Sequence, residues 1–350
     1  MKRCSTAQVA KKWLKVGKCC LLAIFLLAGT LPSNAQASPT GKATGRRASL
    51  GNQRSLSRSG ESNGREGATS ILFTGDILLD RGVRQRIEHG GFHVLFNDEK
   101  LRETLKNADF IVGNLECPAT KIKSPVFKRF IFRAEPEWLD SLKSYGFTHL
   151  NLANNHSIDQ GREALIDTKN QVLRAGMTPI GAGQNMQEAA QPVLLTSSPR
   201  HVWLVVSQRL PLENFAYLPE KPCVSQEPFD SLVNRVSLLR HADPQACIVV
   251  SLHWGQEHVL RPSANQIRDA HRLIDAGANT LICHHPHTLQ TIEHYKGATI
   301  YYSIGNFIFD LQRPLNARAC MVQLTINADS IETKPIPILI ERCAPTIAEP

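Results

Sequence analysis

Ser70-Ile-Leu-Phe-Thr-Gly-Asp76 sets a short apolar run against an abrupt polar stop, and it is the first of six such stretches in the 350-residue chain. The others end in Asn114 with Glu116, in Asn154-Asn155-His156, in His253, in His285-Pro286-His287 and in Asn306. Runs such as Ile71-Leu-Phe, Phe110-Ile-Val, Ile248-Val-Val-Ser-Leu and Thr280-Leu-Ile are largely apolar without alternation, the pattern of strands buried on both faces of an α/β sheet. Ligands of open α/β sheets collect at the carboxyl ends of strands. The six polar stops are therefore expected to converge on one crevice.

Outward from this strand, helices and strands alternate. A helix is expected over 98–108 with Leu101 and Leu105 on one face, a strand over 110–113, and a helix over 136–145 with Pro136 in its first turn, where the missing N–H costs nothing. A strand over 148–153 precedes a helix over 161–175, in which Leu165 with Val172, and Ile166 with Leu173, lie seven apart and which Gly176 closes. A strand or loop follows at 178–183, strands at 193–195, 201–207 and 247–252, and a helix over 265–276 with Ile267, Leu273 and Ile274 inward. From residue 298 onward only strands are expected, at 300–303, 307–309, 320–326 and 331–340. The alternation predicts a layered α/β domain, and the last strands predict antiparallel additions to a mixed sheet.

Ahead of this body the chain reads differently. Residues 1–37 hold six bases, an apolar run of about 13 residues from Cys19 to Leu31, and Ala35-Gln36-Ala37, which together predict a cleavable signal peptide. The run is short of the roughly 20 residues that span a bilayer, so an N-terminal membrane anchor is the weaker alternative. Residues 38–69 are rich in Ser, Gly and Arg, with six bases against Glu61 and Glu66, and cannot bury enough surface to offset the entropy of ordering; a disordered basic linker is expected. The formal charge of +9 comes wholly from these two segments, the first contributing +6 and the second +4, which leaves the remainder at −1. A basic balance confined to these two segments gives no sign of a basic groove in the body, and nucleic acid is not expected as a partner. One domain is expected over 70–345. Six of the nine cysteines fall within it without any Cys-x-x-Cys pair, so a zinc knuckle is not expected and disulfide pairing stays open.

The polar stops carry the chemistry. Asp76 directly after a strand suits either a turn cap or a metal ligand. Asn114 and Glu116, two apart on an extended segment, share one face, or belong to a turn. Asn155 and His156 follow a buried strand where three polar side chains would be costly in a core. His253 is either a metal ligand or a satisfied core histidine. His285 and His287 flank a proline on what reads as an extended turn, able to ligate one or two metals, and the alternation of that turn points His284 away. Asn306 reads as a turn-stabilising neighbour of the site.

In order, Gly-Asp-Ile-Leu-Leu-Asp from Gly75, Gly-Asn-Leu-Glu from Gly113, Leu-Ala-Asn-Asn-His-Ser-Ile-Asp-Gln-Gly from Leu152, His-Trp-Gly-Gln-Glu from His253, His-His-Pro-His from His284 and Tyr-Ser-Ile-Gly-Asn-Phe from Tyr302 resemble the CapA-type capsule synthesis, or poly-gamma-glutamate synthesis, family of the calcineurin-like metallophosphoesterase superfamily. The resemblance implies a four-layer α/β/β/α sandwich with two mixed sheets. It also implies a centre for one or two divalent ions, Mn, Zn or Fe, at Asp76, Asn114, Glu116, Asn155, His253, His285 and His287, with His156 as the catalytic imidazole. It implies a role in cell-envelope polymer synthesis, with an anionic polymer or its precursor and a membrane-associated synthase as partners; the signal peptide adds the expectation of a secreted or periplasmic protein, or one on the outer face of the cytoplasmic membrane. Two positions depart from the superfamily pattern: Leu78 stands where a second-position His is usual, and Asn114 where a bridging Asp is usual. Those departures leave open a non-catalytic accessory module as the alternative. Cys283 also replaces a Gly common in that pattern, and we have no physical account of it.

Overall fold

The computed structural model describes residues 67–211, 218–310 and 313–348, so the expected signal peptide and nearly all of the expected linker lie outside the described residues. In chain order, β1 (Thr69–Ile77), α1 (Arg81–Gly90), α2 (Glu99–Lys106), β2 (Phe110–Leu115), α3 (Trp138–Ser144), β3 (His149–Asn151), α4 (Gly161–Arg174) and β4 (Thr178–Ile180) alternate. Next come β5 (Ala182–Gly183), α5 (Met186–Ala189), β6 (Val193–Thr196), β7 (Val202–Gln208), β8 (Cys223–Val224), α6 (Phe229–Ala242), β9 (Cys247–His253), α7 (Ala264–Asp275), β10 (Thr280–Ile282), β11 (Ile292–Tyr295) and β12 (Ala298–Tyr301). The chain closes with β13 (Asn306–Ile308), β14 (Arg318–Ile326), β15 (Ile331–Glu341) and β16 (Ala344–Ile347).

Two mixed sheets form. The first runs β16-β15-β14-β1-β2-β3-β4, with β13 also pairing β1; the second runs β11-β12-β10-β9-β7-β6. Alternation along each strand divides its side chains between two faces. Ile71, Phe73 and Val112 of the first sheet pack with Leu204, Val249 and Ile282 of the second to form the core between the sheets. Leu72, Ile111 and Leu150 point the other way, onto Leu101, Leu139 and Leu165 of α2, α3 and α4. Ile248, Val250 and Leu281 meet Leu232 of α6 and Leu273 of α7. Helix, sheet, sheet, helix is thus the layer order, the four-layer sandwich implied by the resemblance.

Three helices went unforeseen, the four-residue α5 among them. In α1 only Val83 and Ile87 are buried, four apart among charged neighbours, and in α6 the apolar residues surround the helix, with Leu238 exposed. In α4 the Leu165 and Val172 pair faces the core as expected, whereas Leu173 is 54% exposed, so the second pair is not a buried stripe.

The site follows from the strand directions. β1, β2, β3 and β4 are mutually parallel with β13 parallel to β1, and β7, β9, β10 and β12 are parallel in the second sheet. Gly75 lets β13 close on β1: a Cβ there would lie 2.3 Å from the Gly305 carbonyl oxygen and 2.7 Å from the Asn306 carbonyl carbon.

Candidate metal centre

Strand register places the oxygen donors. Asp76 pairs across β1 with Asn114 of β2 on one side and Asn306 of β13 on the other. Asn114 Nδ2 donates to Asp76 Oδ1 at 2.8 Å, and Asn151 Nδ2 donates to Asn114 Oδ1 at 3.1 Å, so three side chains on adjacent strands form one relay. Asn154 instead ties its turn together, donating to the Leu115 carbonyl and accepting from the His156 N–H. Glu116 is fully buried, with both carboxylate oxygens lacking any hydrogen-bond partner; His253 Nε2 and His287 Nε2 lie 3.6 and 3.7 Å from its Oε1.

The imidazoles arrive from the second sheet. His253 ends β9; its Nε2 is 2.9 Å from Asn155 Oδ1 and its Nδ1 is 3.4 Å from Asn114 Nδ2. The turn after β10 is not extended: His285 has φ 96° and His287 φ 55°, both in the left-handed region that side chains other than glycine rarely occupy. The kink breaks the two-residue alternation and corrects the expectation for His284. Its Nδ1 lies 3.1 Å from Asp76 Oδ1, without the alignment of a hydrogen bond. The His285 N–H donates to Asp76 Oδ2 at 3.3 Å. His287 Nδ1 faces two acceptors, Asn306 Oδ1 at 2.9 Å and Asp76 Oδ2 at 3.3 Å, so Asn306 orients an imidazole as well as a strand end.

Charge is unevenly shared in this pocket. Burial pushes Asp76 up, but contacts from His284 and His287 outweigh it and hold the carboxyl well below its ordinary range. Burial, then the Asp76 charge, pushes Glu116 well above it, because nothing donates to that carboxylate. Burial drives His253 well down and, with His287 adding repulsion, takes His285 to about 3. Burial lowers His287 too, yet the Glu116 and Asp76 charges raise it to about 9.

These donors suit a cation. Asp76, Glu116 and His253 offer ligand atoms all within 4.8 Å of one another, as do Glu116, His285 and His287, so Glu116 belongs to both sets. A fully buried carboxylate without a donor is expensive unless a positive ion faces it. Carboxylate and imidazole together suit a borderline divalent metal. Asn114 and Asn155 also reach the crevice, as hydrogen-bond partners of Asp76 and His253. Leu78 is buried with the helix-facing core of the first sheet, so no imidazole enters from its position.

His156 stands on the wall of the opening with His287 and Asn306. Its Nδ1 lies 2.8 Å from Asp159 Oδ2 and 3.5 Å from Lys128 Nζ, and its ring packs on Phe132 at 4.2 Å between centroids. Burial holds its pKa down despite Asp159. Lys128 is itself nearly buried, donating to Asp159 Oδ1 at 2.9 Å and to the Asn155 carbonyl at 3.0 Å. Sequence reasoning missed Asn151, Lys128 and Asp159 as supports. Asp159, three residues after His156, had a readable signal; Lys128 lies in a long loop and had none.

Residues 70–311 match the family described as bacterial capsule synthesis protein PGA_cap. The chain is 32% identical over 250 residues to the capsule biosynthesis protein CapA of Bacillus anthracis, covering 69% of this chain and 60% of that relative's length. It is 31% identical over 280 residues to the PGA biosynthesis protein CapA of Bacillus subtilis strain 168, covering 77% of this chain and 71% of that one. Among solved structures it is similar to the 5'-nucleotidase precursor from Thermus thermophilus, with a TM-score of 0.46 and 11% identity over 79% of this chain and 56% of that chain.

Proposed function

The chain belongs to the bacterial capsule synthesis protein PGA_cap family, and from that premise we propose that it serves the synthesis of an anionic envelope polymer through a metal-dependent, phosphoester-hydrolysing centre. The observation that carries the reading is Glu116, fully buried with both oxygens unpartnered between two imidazoles. Asp76, Glu116, His253, His285 and His287 would hold one or two divalent ions, with His284 as a contact of Asp76. Such an ion, when bound, acidifies water and polarises a phosphoryl oxygen.

The chain's own residues do the rest. Asp159 accepts from Nδ1 of His156, which leaves Nε2 as the nitrogen able to exchange a proton with the leaving oxygen. Lys128 neutralises Asp159 and Phe132 covers the imidazole, so the ring is held in one orientation away from bulk water. The relay from Asn151 through Asn114 fixes the Asp76 carboxylate.

The partners of this reading are the polymer or its precursor and a membrane-associated synthase. Export by the 1–37 leader, with 38–69 as a tether at the outer face of the membrane, belongs to the same proposal. No helix among the described residues is long and apolar enough to cross a membrane. A second reading, an accessory module without turnover, is favoured by Leu78 in the core and by Asn114 in place of a carboxylate.

Metal analysis of protein purified without chelator, with a screen of phosphomonoesters and phosphodiesters, tests the proposal. We expect stoichiometric divalent metal, lost in Glu116→Gln, and turnover that His156→Ala abolishes with metal retained. Metal without turnover would select the accessory reading, and a metal-free protein would defeat the centre itself.

A further inference from the structure

The mouth of the crevice holds a cation that the metal chemistry does not use. Arg81, the first residue of α1, lines the same opening as His156, His287 and Asn306. Its guanidinium is paired with Asp310 and lies over two rings, 4.9 Å from the centroid of Phe132 and 5.4 Å from that of Phe309. One carboxylate cannot engage the five N–H donors of a guanidinium, and Arg81 Nε is buried without any partner. Arg84, one turn on, shows the contrast: Asp80, Glu135 and the Arg133 carbonyl take its Nε, Nη1 and Nη2. Arg84 is thus consumed by the fold, and Arg81 is not.

Two further features suit Arg81 to recognition. Packing on two rings holds the planar fork before any ligand arrives, so little side-chain freedom is lost on binding. Its backbone sits at φ 51°, a conformation in which glycine would be at ease, yet the position carries a long cationic side chain.

We propose that Arg81 anchors an oxyanion subsite at the mouth of the metal centre, taking a phosphate or carboxylate oxygen of the substrate on the donors that Asp310 leaves free. Asp310 aims the guanidinium and, by its own charge, restrains affinity for the anion. The inference deepens the phosphoester reading of the crevice and rests on it.

The test titrates inorganic phosphate, and in parallel acetate, into Mn-loaded and chelated protein by calorimetry, with metal content and unfolding midpoint measured on the same samples. Arg81→Gly relieves the backbone and should fold with its metal intact; we expect phosphate affinity to fall about tenfold or more, the scale of one or two charge-assisted hydrogen bonds. Arg81→Lys should recover only part of this, since an ammonium lacks the fork. Asp310→Asn should tighten phosphate. A loss confined to phosphate identifies that source, and a matching loss for acetate identifies a carboxylate. If Arg81→Gly leaves both anions unchanged, or if wild type binds neither, the subsite is overturned. A wild type without metal would defeat the reading of the crevice instead, and the subsite would then be decided by whether chelated Arg81→Gly still loses phosphate.

Discussion

The two sheets bring different chemistry to one crevice by different means. The first sheet supplies oxygen, from Asp76 and Glu116, and places it by strand register and by a relay of carboxamides that runs from Asn151 through Asn114. The second supplies imidazole, one from the end of β9 and three from a turn whose two outer residues flanking Pro286 hold left-handed backbone. Register is set by the hydrophobic pattern and costs nothing extra. A left-handed turn built without glycine stores strain and persists only where its surroundings enforce it. Breaking the oxygen half should therefore cost stability, whereas relaxing the imidazole half should release some.

Gly75→Ala should have the largest effect. Its added Cβ would meet backbone at 2.3 Å, which a side-chain rotation cannot relieve, so β13 must leave β1 and take Asn306 from beside Asp76. We expect a loss on the order of 3 kcal/mol in urea unfolding, together with loss of metal. A stable Gly75→Ala protein with wild-type metal content would show that register is not what places the oxygens.

Asn114→Asp comes next. It replaces a donor 2.8 Å from Asp76 with a second carboxylate, and in chelated protein the repulsion should cost about 2 kcal/mol. With Mn present the same variant should regain that loss and retain metal through longer dialysis. If chelator makes no difference to its stability, no ion faces these carboxylates.

Most of the sandwich was legible because it rests on repeating patterns. The β1, β2, β9 and β10 segments are apolar runs short enough for strands, and α2, α3, α4 and α7 each present a stripe with a closing signal. Helices α1 and α6 were hidden because one has only two apolar contacts and the other has apolar residues all round. At the site, Asp76, Glu116, His253, His285 and His287 were readable as polar stops after buried runs. The orientation of His284 was not, since alternation holds only for extended backbone and the turn becomes left-handed one residue later. Lys128 and Asn151 are supports fixed by packing across distant segments, which no local pattern encodes.

The imidazole half yields a smaller effect of opposite sign. His285→Gly and His285→Ala both remove the ring and leave the same space, so their difference isolates the backbone at φ 96°. The glycine variant should be the more stable by about 1 kcal/mol in chelated protein, with metal equally reduced in both. Equal stability of the two would mean that the turn relaxes freely and that strain plays no part in aiming the ring.

The least effect belongs to a region in neither half. Glu135, on the segment before α3, is held below its ordinary value of 4.5 first by Arg133 and also by Lys121 and Arg84. A carboxylate with a depressed folded-state pKa contributes stability above its unfolded value and loses it as pH falls through the folded one. Wild type should hence gain nothing from Glu135 in strong acid and less than about 1 kcal/mol near neutrality, the pairs being partly exposed. Glu135→Gln should narrow the difference in unfolding midpoint between about pH 7 and about pH 2 in chelated protein and leave the metal content at neutral pH unchanged. A fall in metal content as large as that from Gly75→Ala would mean that the covering loop, and not the strand ends and the strained turn alone, sets the ligands in place.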